Sequence, residues 1–290
     1  VSDGSPAAGP EAEPVCPRHP DRISYVRCQR CGRPACPECQ RPAAVGFHCV
    51  DCVRELAAPA PRTAYGAVAR PGGRPLVTTL LIAACAVVYA LQWAVPNSYV
   101  YLEFAYATLL TGIEPYRMLT TAFLHAPTFV LHILVNMYTL WIFGQALEPL
   151  LGRARFLAVY LLSAVGGSVG YFLLTPPSLV GVVGASGAVF GLFGAMFVVM
   201  RQRGGDSRQL LVLIAINAVL GFVVPQIAWQ AHLGGLVTGA LATAAVAYAP
   251  RGSRRALVQW GGMATVAVIL AVVTMARVTA LNIGPGGLGI

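Results

Sequence analysis

The sequence predicts an all-α polytopic membrane protein preceded by a small zinc-stabilised domain. Hydrophobic residues make up 57% of the 290 and charged residues only 11%, with a mean hydropathy of +0.67, which excludes an ordinary soluble domain. Apolar runs of about 17 to 25 residues, the length that crosses a bilayer, recur from Leu76 to Met275. Seven of the eight cysteines lie between Cys16 and Cys52, six in short-spaced pairs and Cys16 paired with His19.

Residues 1–14, rich in Pro, Ala, Gly and acid, are expected to be disordered, and no signal peptide is expected before the cysteines. Over residues 15–54 the chain reads Cys16-x-x-His19, Cys28-x-x-Cys31, Cys36-x-x-Cys39 and Cys49-x-x-Cys52. A tetrahedral zinc takes four thiolate or imidazole ligands, so these pairs predict two structural Zn2+ ions. So short a segment cannot build a sizeable apolar core, and bound metal would supply most of its folding energy. With all eight positions filled no coordination site is open for water, so no metal is expected in catalysis. The order resembles a B-box-type zinc finger, in which alternate pairs share a metal. That resemblance implies Cys16, His19, Cys36 and Cys39 on one zinc, and Cys28, Cys31, Cys52 with Cys49 or His48 on the other; sequential pairing stays open. Its expected job is to bind a cytoplasmic protein partner or to regulate the membrane-spanning part from the cytoplasmic side. Nucleic acid is disfavoured: Asp21, Glu38 and Asp51 offset its seven arginines, and no finger-type recognition helix follows.

Residues 55–75, with repeated Ala, Pro, Gly and Arg, read as a partly extended linker. Seven spans are then predicted: Leu76–Val95, Val130–Leu147, Phe156–Leu174, Val182–Met200, Leu210–Val224, Ala228–Tyr248 and Leu257–Met275. Arginines gather before the first, between the second and third, after the fourth and after the sixth, whereas the opposite loops carry only Arg117 and the final Arg277. Positive charge marks the cytoplasmic side, so the N-terminus and zinc module are expected inside and the C-terminus outside. Residues 249–290 supply a cytoplasmic loop, the seventh span and a flexible tail from Gly284 to Ile290. The chain has no lysine, and with its Ala, Gly and Pro content this suggests a GC-rich bacterial genome and a multi-pass plasma-membrane location.

Four polar residues interrupt the spans: His132, Asn136, Ser186 and His232. Ionisable and strongly polar groups are expensive inside a membrane and are usually retained for a function. In the predicted topology, spans two, four and six all run inward, which places His132, Ser186 and His232 at a common depth of roughly 5 to 10 Å. Asn136 lies one turn below His132 on the same helix face. Ser186 sits in Gly184-Ala185-Ser186-Gly187, which is not the G-x-S-x-G elbow of soluble hydrolases, so it is expected to open a membrane helix. Gly187 with Gly191, and Gly235 with Gly239, form small-xxx-small rows that let two helix backbones meet. That contact would bring Ser186 and His232 together.

The chain resembles a rhomboid intramembrane serine protease over roughly Arg74 to Tyr248. The resemblance rests on Tyr116-Arg117, His132 to Asn136, Glu148 to Gly152, Gly184 to Gly187 and Ala231-His232-x-x-Gly235-x-x-x-Gly239. It implies a six-helix rhomboid-like core over residues 76–248, to which the seventh span is an addition. It also implies peptide-bond hydrolysis through an acyl-enzyme, with Ser186 as nucleophile and His232 as general base in a dyad. Phe190, four residues after the serine, would pack on His232. His132, Asn136 and the Ser186 N–H would stabilise the oxyanion, while Arg117 and Glu148 would serve structure. His125 is expected to hold the external loop, outside the site. Substrates would be single-span or other membrane proteins, cut in or near their transmembrane segments at the external side of the bilayer. The competing expectation is a catalytically silent rhomboid-like protein that binds such clients. A transporter is disfavoured because the polar residues cluster on one side and no internal repeat is visible.

Overall fold

The computed structural model describes residues 13–57, 62–68, 74–224 and 227–283. Most of the stretch expected to be disordered, parts of the expected linker and the expected glycine-rich tail lie outside the described residues. The chain divides into two compact units, Val1–Pro61 and Arg62–Ile290.

The first unit contains two small antiparallel pairs, β1 (Val15–Cys16) with β2 (His19–Ile23) and β3 (Gln40–Pro42) with β4 (Phe47–Cys49), followed by α1 (Val50–Leu56). Its buried cluster consists of Ala35 and six cysteines, with Val50 packed against it. Larger apolar side chains such as Tyr25 and Val45 face outward. Among its described residues this small, mostly sulfur cluster is the buried centre, with little apolar surface for a core.

The second unit is helical. Every predicted span corresponds to one helix: α2 (Leu76–Ala94), α5 (Val130–Leu151), α6 (Arg153–Leu174), α7 (Ser186–Gln202), α8 (Arg208–Val223), α9 (Trp229–Ala247) and α10 (Arg255–Leu281). By length and composition α2, α5, α6 and α10 are sufficient to cross a membrane, while α7 and α8 are shorter apolar helices. The fourth span differs most from its expected start. Residues 182–185 are not helical, because Tyr106 and Val182 exchange backbone hydrogen bonds and Gly184 takes a φ of +139°, a region that favours glycine. Helix α7 therefore begins at Ser186 itself. The segment between α2 and α5, which carries no predicted element, is ordered by the short helices α3 (Tyr99–Phe104) and α4 (Arg117–Thr120).

Helices α6, α7 and α9 pack backbone to backbone. A Cβ on Gly235 or Gly239 of α9 would land on the carbonyl of Gly187 or Gly191 of α7, and one on Gly234 would strike the Gly166 carbonyl of α6. The core around this trio is built from Leu140, Leu147, Phe156, Tyr160 and Leu192, all fully buried. Glu148, buried near the end of α5, fixes α2: its carboxylate accepts from Val77 N at 3.0 Å, Thr78 N at 2.9 Å and Thr78 Oγ1 at 2.8 Å. The two amides are orphan donors at the helix N-terminus, so a negative charge is favoured there.

The seventh helix belongs to this packing. Gln259 of α10 is fully buried and donates to Val246 O at 3.0 Å and Tyr65 O at 3.1 Å, and a Cβ on Gly262 would come within 2.6 Å of Ala245. Tyr65 lies inside the stretch expected to be linker. It is 1% exposed, with its hydroxyl donating to Gln202 Oε1 at 3.2 Å, so residues 62–68 are docked on the helices instead of running free. Two glutamines at helix ends supply the polar partners that make this docking favourable.

Candidate active site and metal centres

Ser186 is the first residue of α7 and is half-buried. The strand-like approach to it is strapped down by Thr121: Gly184 N donates to Thr121 O at 3.1 Å, and Thr121 Oγ1 donates to Val182 O. A Cβ placed on Gly184 would lie 2.8 Å from His132 Nε2 and 3.6 Å from Ser186 Oγ. His132 and Ser186 thus flank the same bare backbone, and any side chain at 184 would fill the space between them.

The polarity of His132 follows from its other nitrogen. Ala126 N donates to His132 Nδ1 at 3.3 Å, so Nδ1 is the acceptor and the neutral ring carries its proton on Nε2, the atom that faces Gly184. His132 is a hydrogen-bond donor at the mouth of α7. Asn136 is buried and its Nδ2 donates to His132 O at 2.8 Å, which leaves its second amide hydrogen uncommitted.

His232, on α9, stacks on Phe190 with ring centroids 4.0 Å apart and planes 10° from parallel. Phe190 is held edge-on by Phe193, and Phe193 by Phe143, so an aromatic row carries the imidazole. Among the described residues, His232 Nδ1 is buried without a hydrogen-bond partner, and no direct hydrogen bond joins Ser186 Oγ to His232. Helix packing puts the two residues on neighbouring helices: Gly187, next to the serine, faces the Ala231 carbonyl, next to the histidine.

Arg117 and Glu148 sit outside this cluster. Arg117 is 5% exposed and binds the Glu114 carboxylate and the carbonyls of Leu102 and Ala105, organising the α3–α4 segment. Tyr116 packs edge-on with Phe104. His125, expected to hold the loop, is fully buried with its ring 5.2 Å from that of His132. Two residues that carry no expectation from the sequence also shape the region. Gln92 clasps the His125 backbone, donating to His125 O at 2.9 Å and accepting from His125 N at 3.0 Å, and Thr121 fixes the approach to the serine. A lone amide at the end of an apolar span is the signal that could have pointed to the Gln92 clasp.

In the first unit the ligand atoms form two groups, each with all members within 4.8 Å of one another: Cys16, His19, Cys36 and Cys39, and Cys28, Cys31, Cys49 and Cys52. The pairing is cross-braced, and Cys49, not His48, completes the second group. His19 presents Nδ1, 3.2 Å from Cys36 Sγ and 3.4 Å from Cys39 Sγ, while its Nε2 approaches Glu38 at 3.8 Å. A carboxylate behind a ligating imidazole is a familiar outer-shell partner. Burial opposes ionisation of Cys16, but amides of Cys36 and Arg18 directed at its sulfur hold the thiol down at about 6. The same opposition between burial and the amides of Cys49, Cys31 and Arg30 leaves Cys28 at about 6. Burial and the neighbouring thiols push Cys39 up to about 11 and Cys52 up to about 12. Each group thus sets a thiol held low, Cys16 or Cys28, beside one pushed high, Cys39 or Cys52. One set of three sulfurs with an imidazole nitrogen and one set of four sulfurs both fit a tetrahedral thiophilic metal.

Residues 112–249 match the Rhomboid domain family. Among relatives, the rhomboid protease GluP of Bacillus subtilis is 37% identical over 145 residues, covering 48% of this chain and 27% of its own length. YdcA of the same bacterium is 39% identical over 133 residues, covering 44% and 65%. RHOMBOID-like protein 6, mitochondrial, of Arabidopsis thaliana is 36% identical over 138 residues, covering 45% and 43%. The chain thus spans between about a quarter and two thirds of these relatives' lengths. The similarity supports a rhomboid-type, membrane-embedded helical unit.

Proposed function

We propose that this chain is a rhomboid intramembrane serine endopeptidase that cleaves membrane-protein substrates in or near their transmembrane segments. The observation that carries the reading is the stacking of His232 on Phe190, one turn into the helix that Ser186 opens. It puts an imidazole beside the nucleophile's helix, with no carboxylate needed to hold its orientation.

In the proposed reaction, Ser186 Oγ attacks the scissile carbonyl carbon while His232 takes the hydroxyl proton. The carbonyl oxygen becomes an oxyanion, stabilised by His132 Nε2–H, Asn136 Nδ2–H and the Ser186 N–H. Collapse of the tetrahedral intermediate breaks the C–N bond, His232 gives its proton to the leaving amine, and the acyl group stays on Ser186 as an ester. Water, deprotonated by His232, attacks the ester, releases the new carboxyl terminus and returns the proton to Ser186. The small approach to the serine, bare at Gly184, admits an extended peptide more readily than a helical one. Substrates with Gly, Pro or small residues near the cleavage point are therefore favoured, because their backbone hydrogen bonds open most easily.

The two thiol clusters would hold structural Zn2+ ions in a B-box-like module. The bound metal would order that unit and take no part in hydrolysis. The arginine distribution supports a bacterial plasma-membrane protein with the module on the cytoplasmic side, a C-terminus outside and an active site open to the external face.

The test is cleavage of a single-span reporter by purified protein in liposomes. Wild type should cut, and Ser186→Ala and His232→Ala should each fall to background. No cleavage by any form, together with no fluorophosphonate labelling of Ser186, would replace the enzyme by a client-binding rhomboid-like protein.

A further inference from the structure

Away from the candidate active site, a cavity of about 320 Å³ opens between the last turn of α5, the first turn of α6, the start of α2 and the docked 62–68 segment. Among the described residues, three arginines line it, Arg74, Arg153 and Arg155, against one acid, Glu148. That acid is already engaged. Its two oxygens accept three hydrogen bonds of 2.8–3.0 Å from Val77 and Thr78, and Arg153 Nε approaches only to 3.7 Å. Arg155 Nε bonds a neutral group, Gln259 Oε1, at 2.8 Å, and Arg74 stands exposed on the rim.

A fourth guanidinium stands behind the wall. Arg255 donates to Ala64 O at 2.6 Å, its Nη1 would be 3.6 Å from a Cβ on Gly66, and its Nε is buried without a partner among the described residues. The first turn of the 22-residue α6, which has no side-chain cap, also lines the space through residues 152–155. Its free amides and the helix dipole add to the positive potential. The remaining wall is apolar, formed by Ala67, Val68, Pro75 and Pro149.

An excess of guanidinium over carboxylate in a concave, half-apolar site selects an oxyanion that a planar fork can grip, which is the chemistry of phosphate. The cavity lies where apolar helices α2, α5 and α6 begin or end, the level at which a lipid headgroup sits. We propose that this cavity binds the phosphate of an anionic glycerophospholipid headgroup, with the glycerol region against its proline and alanine wall. The site rests on the helical unit being embedded in a bilayer and does not depend on proteolysis by Ser186.

The experiment is thermal unfolding and native mass spectrometry of the full chain in detergent, titrated with phosphatidylglycerol or phosphatidylcholine. Phosphatidylglycerol should bind at least about tenfold more tightly and raise the unfolding temperature. The pair Arg74→Gln and Arg153→Gln should remove most of that preference, whereas Arg74→Lys with Arg153→Lys should retain much of it and report that the fold survives. Arg201→Gln with Arg208→Gln, two exposed arginines outside the cavity, should leave it unchanged. No preference for phosphatidylglycerol would overturn the site, and a preference lost equally in the Arg201 and Arg208 variant would replace it by diffuse surface attraction. Competition by millimolar inorganic phosphate would uphold the cavity's phosphate chemistry and assign free phosphate as its occupant.

Discussion

Ser186 and His232 illustrate how little a side chain needs when the backbone around it is fixed. The imidazole is oriented by a ring face, Phe190, instead of by a carboxylate. An aromatic pair is worth about 0.5–1.5 kcal/mol. Phe190→Ala should accordingly lower kcat/KM by about tenfold through misplacement of His232, while Phe190→Tyr keeps near wild-type turnover in the same liposome assay. Asn136 has a donor hydrogen left after its bond to His132 O. Asn136→Ala should cost about 10² to 10³ in kcat with little change in KM, the signature of an interaction made mainly in the transition state. Wild-type turnover in that variant would refute the oxyanion assignment. The polar residues themselves were legible in the sequence, because each stands out against an apolar run. Thr121 was not, since it acts through a backbone contact that no spacing rule predicts, and Gln92 showed only as a lone amide at a span end, with its partner hidden.

At the scale of elements, the glycine rows decide which helices meet. Gly235 abuts the Gly187 carbonyl so closely that no side chain fits between them. Gly235→Val should therefore destabilise the helical unit by about 1–3 kcal/mol and separate Ser186 from His232, so both the unfolding temperature and Ser186 probe labelling should fall. Retained labelling at unchanged stability would show that α7 and α9 do not need this approach. The small-xxx-small spacing was readable in advance, as was the serine's place at a helix start. The later start of α7 was not: the Tyr106–Val182 pairing that holds residues 182–185 out of the helix joins segments far apart in the chain. The docking of Tyr65 was equally hidden, because composition alone reads residues 55–75 as linker.

The molecule as a whole combines two units that owe their stability to different physics. The helical unit buries apolar surface and glycine-mediated backbone contacts, while the first unit has mostly sulfur at its centre. Removing metal with a strong chelator should therefore expose the first unit's thiols to alkylation and its backbone to protease, while leaving the helical unit's unfolding temperature within a few degrees. Slow, partial alkylation after chelation would argue against metal as the organising element. The sequence by itself determined the class of each unit: apolar run length and solvation cost mark membrane helices and the polar residues inside them, and Cys-x-x-Cys spacing marks local ligand pairs. Only the tertiary structure decided which pairs share a site. His48 and Cys49 are adjacent on β4, where neighbouring side chains point to opposite faces, so just one can turn inward, and it is Cys49, which is 6% exposed. Likewise, only the crossing of α7 and α9 sets Ser186 near His232, because hydropathy fixes how deep a residue lies and not which neighbour it faces.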